Sequence, residues 1–477
     1  MYSDILRVDN KLRPYQQEAK MEIFSSWDEC DNVMFQMPTG TGKTRLFTSI
    51  IGDYKIWSVL NSIDSKILIV AHRIELIEQI SESLTKYSIP HGIIAGGKER
   101  DLRNNVLVAS IQTLTHHTNI DVAKDLNVGL VIIDEAHHSM ASSYRKLWTM
   151  YATAKKLGVT ATPWRMNNSG FSSIYDKLIL SKSIKEFIEI GWLAPYNYYS
   201  INHNSSLYNE INTIDEFDIE GDYKVSALER VMDNSSIRAQ LLDSYLKLAK
   251  GKKGIIYSIS RKHSDHICEE YQKAGISIVR IDSKTPKNER TLYVKRFKEG
   301  SIDIIVNVDI FSEGFDCPDI EFIQLARPTK SLVKYLQQVG RGLRPTSGKN
   351  RCIILDNVGL HLTFGLPDED RAWENDFIGE PNLNKDSKNK NYNQLSNVRE
   401  RRFDEGDCEM SLIESVQISD VSSKQKEIPI LRDKDLDLLN TLYFEKKCSL
   451  EILKSVFDTT EDVIKESIKS IEKDKRE

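Results

Sequence analysis

The 477-residue chain has no apolar run long enough to span a bilayer; its longest, VGLVIID at 128–134, has the length of a strand. No membrane-spanning helix is therefore expected. The opening residues, MYSDILRVDNKLR, lack the apolar stretch of a signal peptide, and the expectation is a cytoplasmic, intracellular protein. Cysteine is scarce: Cys30, Cys268, Cys317, Cys352, Cys408 and Cys448 lie far apart with no CxxC pair, so neither a zinc module nor a disulfide framework is expected. The histidine pairs His116-His117 and His137-His138 have no ligand-spaced partner, which argues against a metal centre there. Net charge is only -5, so no global basic field points to nucleic acid, although a local groove can be basic on an acidic chain. A hydrophobic fraction of 40% and a charged fraction of 28% are those of an ordinary globular protein, and the length suggests two or three domains.

What is present is organised around Asn32 to Thr44, NVMFQMPTGTGKT. A short apolar run stops at Pro38 and opens into Thr39-Gly40-Thr41-Gly42, followed by Lys43-Thr44 and a helical pattern. Glycines let the backbone curl so that N–H groups converge on a phosphate. The helix start adds a positive end, Lys43 can reach the outer phosphates, and the Thr44 hydroxyl can ligate Mg²⁺. Met37 stands where the usual pattern has a glycine, and a plain glycine-rich turn is the bland alternative.

Apolar strand-sized runs then alternate with helical segments: KILIV (66–70), NVLVAS (105–110), VGLVIID (128–134) and KLGVT (156–160). Such continuous runs predict strands buried on both faces of a parallel sheet. A second series, KGIIYS (253–258), SIVRID (277–282), DIIVNV (303–308), FIQLAR (322–327) and CIILD (352–356), predicts a second α/β sheet in tandem. The expected domains are 1–195, a connector at 196–235, a second sheet domain at 236–366, an extension and polar linker at 367–428, and a small helical bundle at 429–477. The bundle's three short helices resemble a helix-turn-helix. The mixed charges of the third suit docking of a protein partner or capping of the core better than groove reading.

The remaining motifs complete a phosphoryl-transfer site. Asp134, at the end of a buried strand, can hold Mg²⁺ through water, and Glu135 can orient and deprotonate an attacking water. Thr160 and Thr162 flank Ala161 at the end of another strand and can relay the state of the carboxylates, with His137 as partner. YLQQVGRGLRP predicts a helix carrying Gln337, Gly340, Arg341 and Arg344, with both arginines on one face, suited to phosphate oxygens. Glu313-Gly314-Phe315-Asp316 follows a strand, where Gly314 permits close approach and Asp316 can hold a ribose hydroxyl or an arginine. Arg13, Gln16 and Gln17 open a helix just before the phosphate loop and can meet an adenine edge.

In this order, LRPYQQ, MPTGTGKT, AHRIEL, ASIQTL, DEAH, TATP, IIYSISRKH, EGFD and QQVGRGLR resemble the motif series of superfamily 2 helicases of the DEAH-box kind, from about Leu12 to Asp356. Within that superfamily SLVKYLQQVGRGLRP looks most like the XPB and RadD branch, although the zinc module of RadD-like proteins has no counterpart here and Asn307 departs from the usual Thr. The resemblance implies two RecA-like lobes closing on ATP and Mg²⁺. Arg13, Gln16, Pro38, Thr39, Gly40, Thr41, Gly42, Lys43, Thr44, Gly314 and Asp316 would bind nucleotide, and Lys43, Asp134, Glu135, Gln337, Arg341 and Arg344 would serve hydrolysis. It also implies strand contacts by His72, Arg73, Ser110, Gln112 and Thr113 in the first lobe. In the second lobe it implies Ser258, Arg261, Lys262, Ser283 and Thr285. The implied function is an ATP-dependent helicase or translocase, on DNA in repair or anti-phage defence. A motor subunit docking a partner through 429–477 and an RNA helicase are the alternatives.

Overall fold

The computed structural model describes residues 2, 9–98, 101–308, 317–380, 410–416, 464, 465, 467 and 468. The chain divides into two compact units. One spans Glu18–Ile418 together with Met1–Leu6 and holds both sheets; the other comprises Arg7–Gln17 and Ser419–Glu477. In the second unit, residues 464, 465, 467 and 468 are helical, and Ile464, Ser467 and Ile468 are buried. The rest of the expected C-terminal bundle, the linker at 382–394 and the EGFD motif lie outside the described residues.

The first sheet contains β1 (Asn32–Gln36), β2 (Lys66–Ala71), β3 (Gly92–Ile94), β4 (Val106–Ser110), β5 (Val128–Asp134), β6 (Lys155–Thr160) and β7 (Lys177–Leu180). Their order is β3-β4-β2-β5-β6-β1-β7, every pair parallel. Leu68, Val70, Val131 and Ile133 pack with Tyr144, Leu147 and Phe171 in a buried core. Each such aliphatic side chain contributes roughly 1.5–3 kcal/mol by leaving water, which is why the apolar runs are continuous rather than alternating. Register matters for the site. Gln36 pairs Thr160, and Asp134 pairs Val159, so β1, β5 and β6 end at nearly the same level. The loops that follow these strands therefore open on one edge, where parallel sheets bind ligands.

The second sheet contains β8 (Tyr196–Ser200), β9 (Gly254–Tyr257), β10 (Ile278–Ile281), β11 (Ile304–Asn307), β12 (Phe322–Leu325), β13 (Cys352–Asp356) and β14 (Ser411–Ser415), in the order β10-β11-β9-β12-β13-β8-β14. All pairs are parallel except β14 with β8. The sheet thus starts at Tyr196, within the segment expected to be connector. Its sequence, YNYYS, hid the strand because its buried side is made of tyrosine rings. Tyr196 and Tyr198 are fully buried and their hydroxyls bond Asp368 and Asp356. The connector proper is helical at Ser206–Asn212 and Val225–Met232.

Among the described residues no helix is long and apolar enough to cross a membrane, and no group of three His, Cys, Asp or Glu could hold a metal. Cys30, Cys268, Cys317 and Cys352 are free thiols.

Candidate functional site

The phosphate loop leaves β1 with the Met37 N–H donating to the Thr160 carbonyl at 2.9 Å, which ties it to β6. Gly40 and Gly42 take φ of +89° and +98°, a left-handed backbone that strains any residue with a Cβ. The Thr41 hydroxyl donates to the Pro38 carbonyl at 2.7 Å and closes the turn. The helix Lys43–Leu60 starts at once, so its free N–H groups face the loop. Lys43 Nζ donates to the Met37 carbonyl at 3.2 Å. Met37 is fully buried, so the residue that breaks the usual pattern fills core with its side chain and offers the loop only its backbone. Burial pushes the Lys43 ammonium pKa down; Glu135 and Asp134 oppose that shift, while Arg341 and Arg344 add to it. All four charged partners expected of a hydrolytic site thus act on one lysine.

Asp134 and Glu135 follow β5 and are both buried. Glu135 sits at φ 49°, ψ 52°, a left-handed conformation that costs a non-glycine residue on the order of 1–3 kcal/mol. Its N–H donates to Asp134 Oδ1 at 3.0 Å, which helps hold it there. Nothing in the sequence signals this strain. His137 Nδ1 lies 3.4 Å from Glu135 Oε2 and 3.2 Å from Thr160 Oγ1. Of the two threonines only Thr160 meets His137. The Thr162 hydroxyl is buried with no hydrogen-bond partner among the described residues, whereas its N–H donates to Thr160 Oγ1. Of the two hydroxyls expected to form a relay, only that of Thr160 is therefore placed against His137.

The second sheet reaches this edge through the helix Leu332–Gly342, whose N-cap Ser331 accepts from the Lys334 N–H. Gln337 Nε2 lies 3.4 Å from Glu135 Oε2 and Arg341 is buried. Arg344 corrects the helical expectation: the helix ends at Gly342 with Leu343 as C-cap, so the two arginines do not share a helical face. Arg344 instead lies over the loop, where a Cβ on Gly40 would come 3.0 Å from its Cγ. Gly340 packs closer still, since a Cβ there would lie 2.8 Å from Thr39 Cβ. Absence of a side chain lets helix and loop touch.

Two family models match the chain: the type III restriction enzyme res subunit over residues 9–165 and the helicase conserved C-terminal domain over residues 237–346. A 51.5 kDa protein of Lactococcus phage (isolate 7-9) is 35% identical over 72% of this chain and 70% of its own length. A Saccharomyces cerevisiae protein assigned as the ATP-dependent helicase IRC3 is 32% identical over 73% of this chain, which spans 51% of that relative. A fragment assigned as the HsdR subunit of a type I restriction enzyme from Vibrio vulnificus YJ016 shares the fold with a TM-score of 0.59, 22% identity, and coverage of 80% of this chain and 69% of its own. The chain belongs to the superfamily 2 helicases. Its two sheets are the tandem RecA-like lobes of such a helicase, and the family's chemistry is ATP hydrolysis stimulated by nucleic acid.

The residues expected to grip a strand divide between the helicase lobes. In lobe one, Gln112 Nε2 donates to the His72 carbonyl at 3.0 Å and Ser110 Oγ donates to Gln112 Oε1 at 2.8 Å. Ser110 also caps the helix Ile111–Leu114 by accepting from the Thr113 N–H. Arg73 is the N-cap residue of the helix Ile74–Lys86, beside His72. These five form one neighbourhood. In lobe two, Ser258 is a correction: its hydroxyl is buried against Ser264 Oγ at 2.6 Å and the Asn307 carbonyl at 3.2 Å, which leaves it no face for a strand. Arg261 Nε pairs with Asp282 Oδ2 at 2.8 Å, and Lys262 is exposed, 3.7 Å from Asp233. Ser283 is exposed, while Thr285 Oγ1 accepts from the Asp282 N–H. Gly314 and Asp316 lie outside the described residues. In the second unit, Gln16 Oε1 accepts from the Arg13 N–H at 2.9 Å, and Arg13 Nη1 donates to the Tyr15 hydroxyl.

Sequence reasoning missed a contact between the lobes. Arg290 Nη1 lies 3.1 Å from Glu75 and Lys287 Nζ 2.8 Å from Glu78. The signal was available: acids three apart on one helix, bases three apart on another.

Proposed function

We propose that this helicase is a DNA translocase whose ATP site is split between its lobes, the phosphate loop and carboxylates coming from lobe one and the arginines from lobe two. The observation that carries the reading is Gln337 of lobe two meeting Glu135 of lobe one beside Arg341. Lys43 and the loop N–H groups would bind the nucleotide phosphates. Glu135 would orient and deprotonate water, and Arg341 and Arg344 would meet charge developing on the transferred group. Thr44 and Asp134 present a hydroxyl and a carboxylate, hard oxygen donors that fit Mg²⁺ and would hold it largely through water. When bound, Mg²⁺ supplies charge neutralisation across the phosphates. Strand contacts would come from the His72, Arg73, Ser110, Gln112 and Thr113 neighbourhood, mainly to phosphates, so no sequence code is required.

DNA is favoured because the model matching lobe one describes a subunit of a restriction enzyme, a class that acts on DNA. The same match supports a second reading, a motor subunit in a restriction or defence complex that docks its partner through residues 429–477. ATPase rates measured with single-stranded DNA, forked duplex, RNA and no nucleic acid test the proposal. DNA should raise the rate, and salt should lower the stimulation by displacing phosphate contacts. Stimulation by RNA alone would overturn the choice of DNA.

A further inference from the structure

Three histidines connect the strand-gripping neighbourhood to the hydrolytic carboxylate. The left-handed Glu135 leads into a single 3-10 turn, Ala136–His138, which brings two consecutive imidazoles into ring contact. His137 is buried against Glu135 and Thr160, as described above. His138 is only partly buried, and its ring meets that of His137 at 4.2 Å with a 43° tilt and that of His72 at 4.2 Å with a 56° tilt. His72 in turn is fixed through its carbonyl by Gln112, and Gln112 by Ser110. The path from Ser110 to Glu135 is unbroken, and His138 is its middle link.

A path transmits only if some element on it has two arrangements. Glu135 Oε2 is placed where it could supply them, since it lies 3.4 Å from both His137 Nδ1 and Gln337 Nε2 and could tighten on either. Movement of the His137 ring changes which of the two holds the carboxylate, and Gln337 belongs to the other lobe. We propose that His138 is a positioning residue. It passes displacement of His72 by a bound strand to His137 and so sets the orientation of Glu135. The inference rests on the reading of this helicase as a nucleic-acid-stimulated ATPase.

The test uses the full chain, with steady-state ATPase rates with and without single-stranded DNA, DNA affinity by fluorescence anisotropy, and melting temperature. His138→Ala should lower the DNA-stimulated kcat about tenfold, in line with known coupling effects. The DNA-free rate, the KM for ATP and the DNA Kd should stay within about twofold of the parent. His138→Phe keeps a ring at this position and should restore most of the stimulation. If the alanine variant melts early, His138→Asn, which keeps a polar side chain but no ring, should show the same selective loss. Full stimulation in the alanine variant, equal losses in the stimulated and DNA-free rates, or a phenylalanine variant no better than alanine would overturn the inference. A wild-type enzyme that neither DNA nor RNA stimulates would instead overturn the functional reading on which it rests.

Discussion

At the C-terminal edge of the first sheet, β1, β5 and β6 end in the phosphate loop, Asp134-Glu135 and Thr160. The second sheet repeats the parallel architecture, yet among its described residues no glycine-rich phosphate loop follows a strand. β12 leads instead to a helix that presents Gln337, Gly340 and Arg341 to the first lobe. On the proposed reading, one lobe would hold the nucleotide and the other would complete the site by touching the first. Replacing Arg341 is the strongest way to break that division. Arg341→Ala should cut kcat by about 10³ or more, the scale of an arginine finger, while ATP binding measured at equilibrium changes little. Equal losses in binding and turnover would mean that lobe two shares in holding the nucleotide.

The lobes also differ in what their buried histidines do. His137 of lobe one faces the Glu135 carboxylate, whereas His263 of lobe two is fully buried in the helix Arg261–Lys273. Its Nδ1 accepts from the Ile259 N–H at 3.4 Å, and its Nε2 has no hydrogen-bond partner among the described residues. Burial pushes its pKa from 6.5 down to about 4, only partly offset by Asp233. Between those values the unfolded chain binds more protons than the folded one, so stability is flat above pH 6.5 and falls as the pH drops toward 4. The loss by pH 4 is about 3 kcal/mol, or about 10²-fold in the folding equilibrium. His263→Asn, which cannot take up a proton in this range, should remove that slope in denaturant unfolding. An unchanged slope would show that the acid sensitivity arises elsewhere.

Much of this was legible in the sequence. The nine long apolar runs became strands because continuous burial needs continuous hydrophobicity, and the phosphate loop was readable because Gly40 and Gly42 announce its backbone. What escaped notice has physical reasons. β8 buries tyrosine rings rather than aliphatic residues, so its pattern looked polar. Ser258 sits in a motif that implies strand contact, yet its hydroxyl faces the helix Arg261–Lys273, a direction that sequence order does not encode. The sequence pattern carries the helix on to Arg344, but the chain leaves it after Gly342. The strained Glu135 and the histidine contacts depend on a turn geometry that no residue type specifies.

The contact between loop and helix sharpens the comparison further. Gly340→Ala would place a methyl 2.8 Å from Thr39 Cβ, so one lobe must back away. Overpacking of this kind costs about 1–3 kcal/mol, and lobe closure should weaken about tenfold. The expected signature is a roughly tenfold lower kcat with an unchanged melting temperature, because the clash lies between the lobes and touches neither lobe's core. A large drop in melting temperature would instead place the conflict within lobe two.

The smallest effect expected is at the second bridge between the lobes, far in sequence from the catalytic motifs. Glu78 accepts from both Lys287 at 2.8 Å and Lys98 at 3.2 Å, and the Lys287 bond is the larger cause of the lowered Glu78 pKa. Lys287 itself is 78% exposed, so water and salt screen the pair, and its loss cannot rival that of a buried arginine. Lys287→Glu would set two carboxylates against each other and should lower the ATPase rate about two- to fivefold at low salt, with the difference vanishing near 0.5 M salt. The paired change with Glu78→Lys should restore the rate, because only the sign of the contact matters. Failure of the double variant to recover would show that Glu78 serves lobe one through Lys98 and that Arg341, Gln337 and Gly340 hold the lobes together without this bridge.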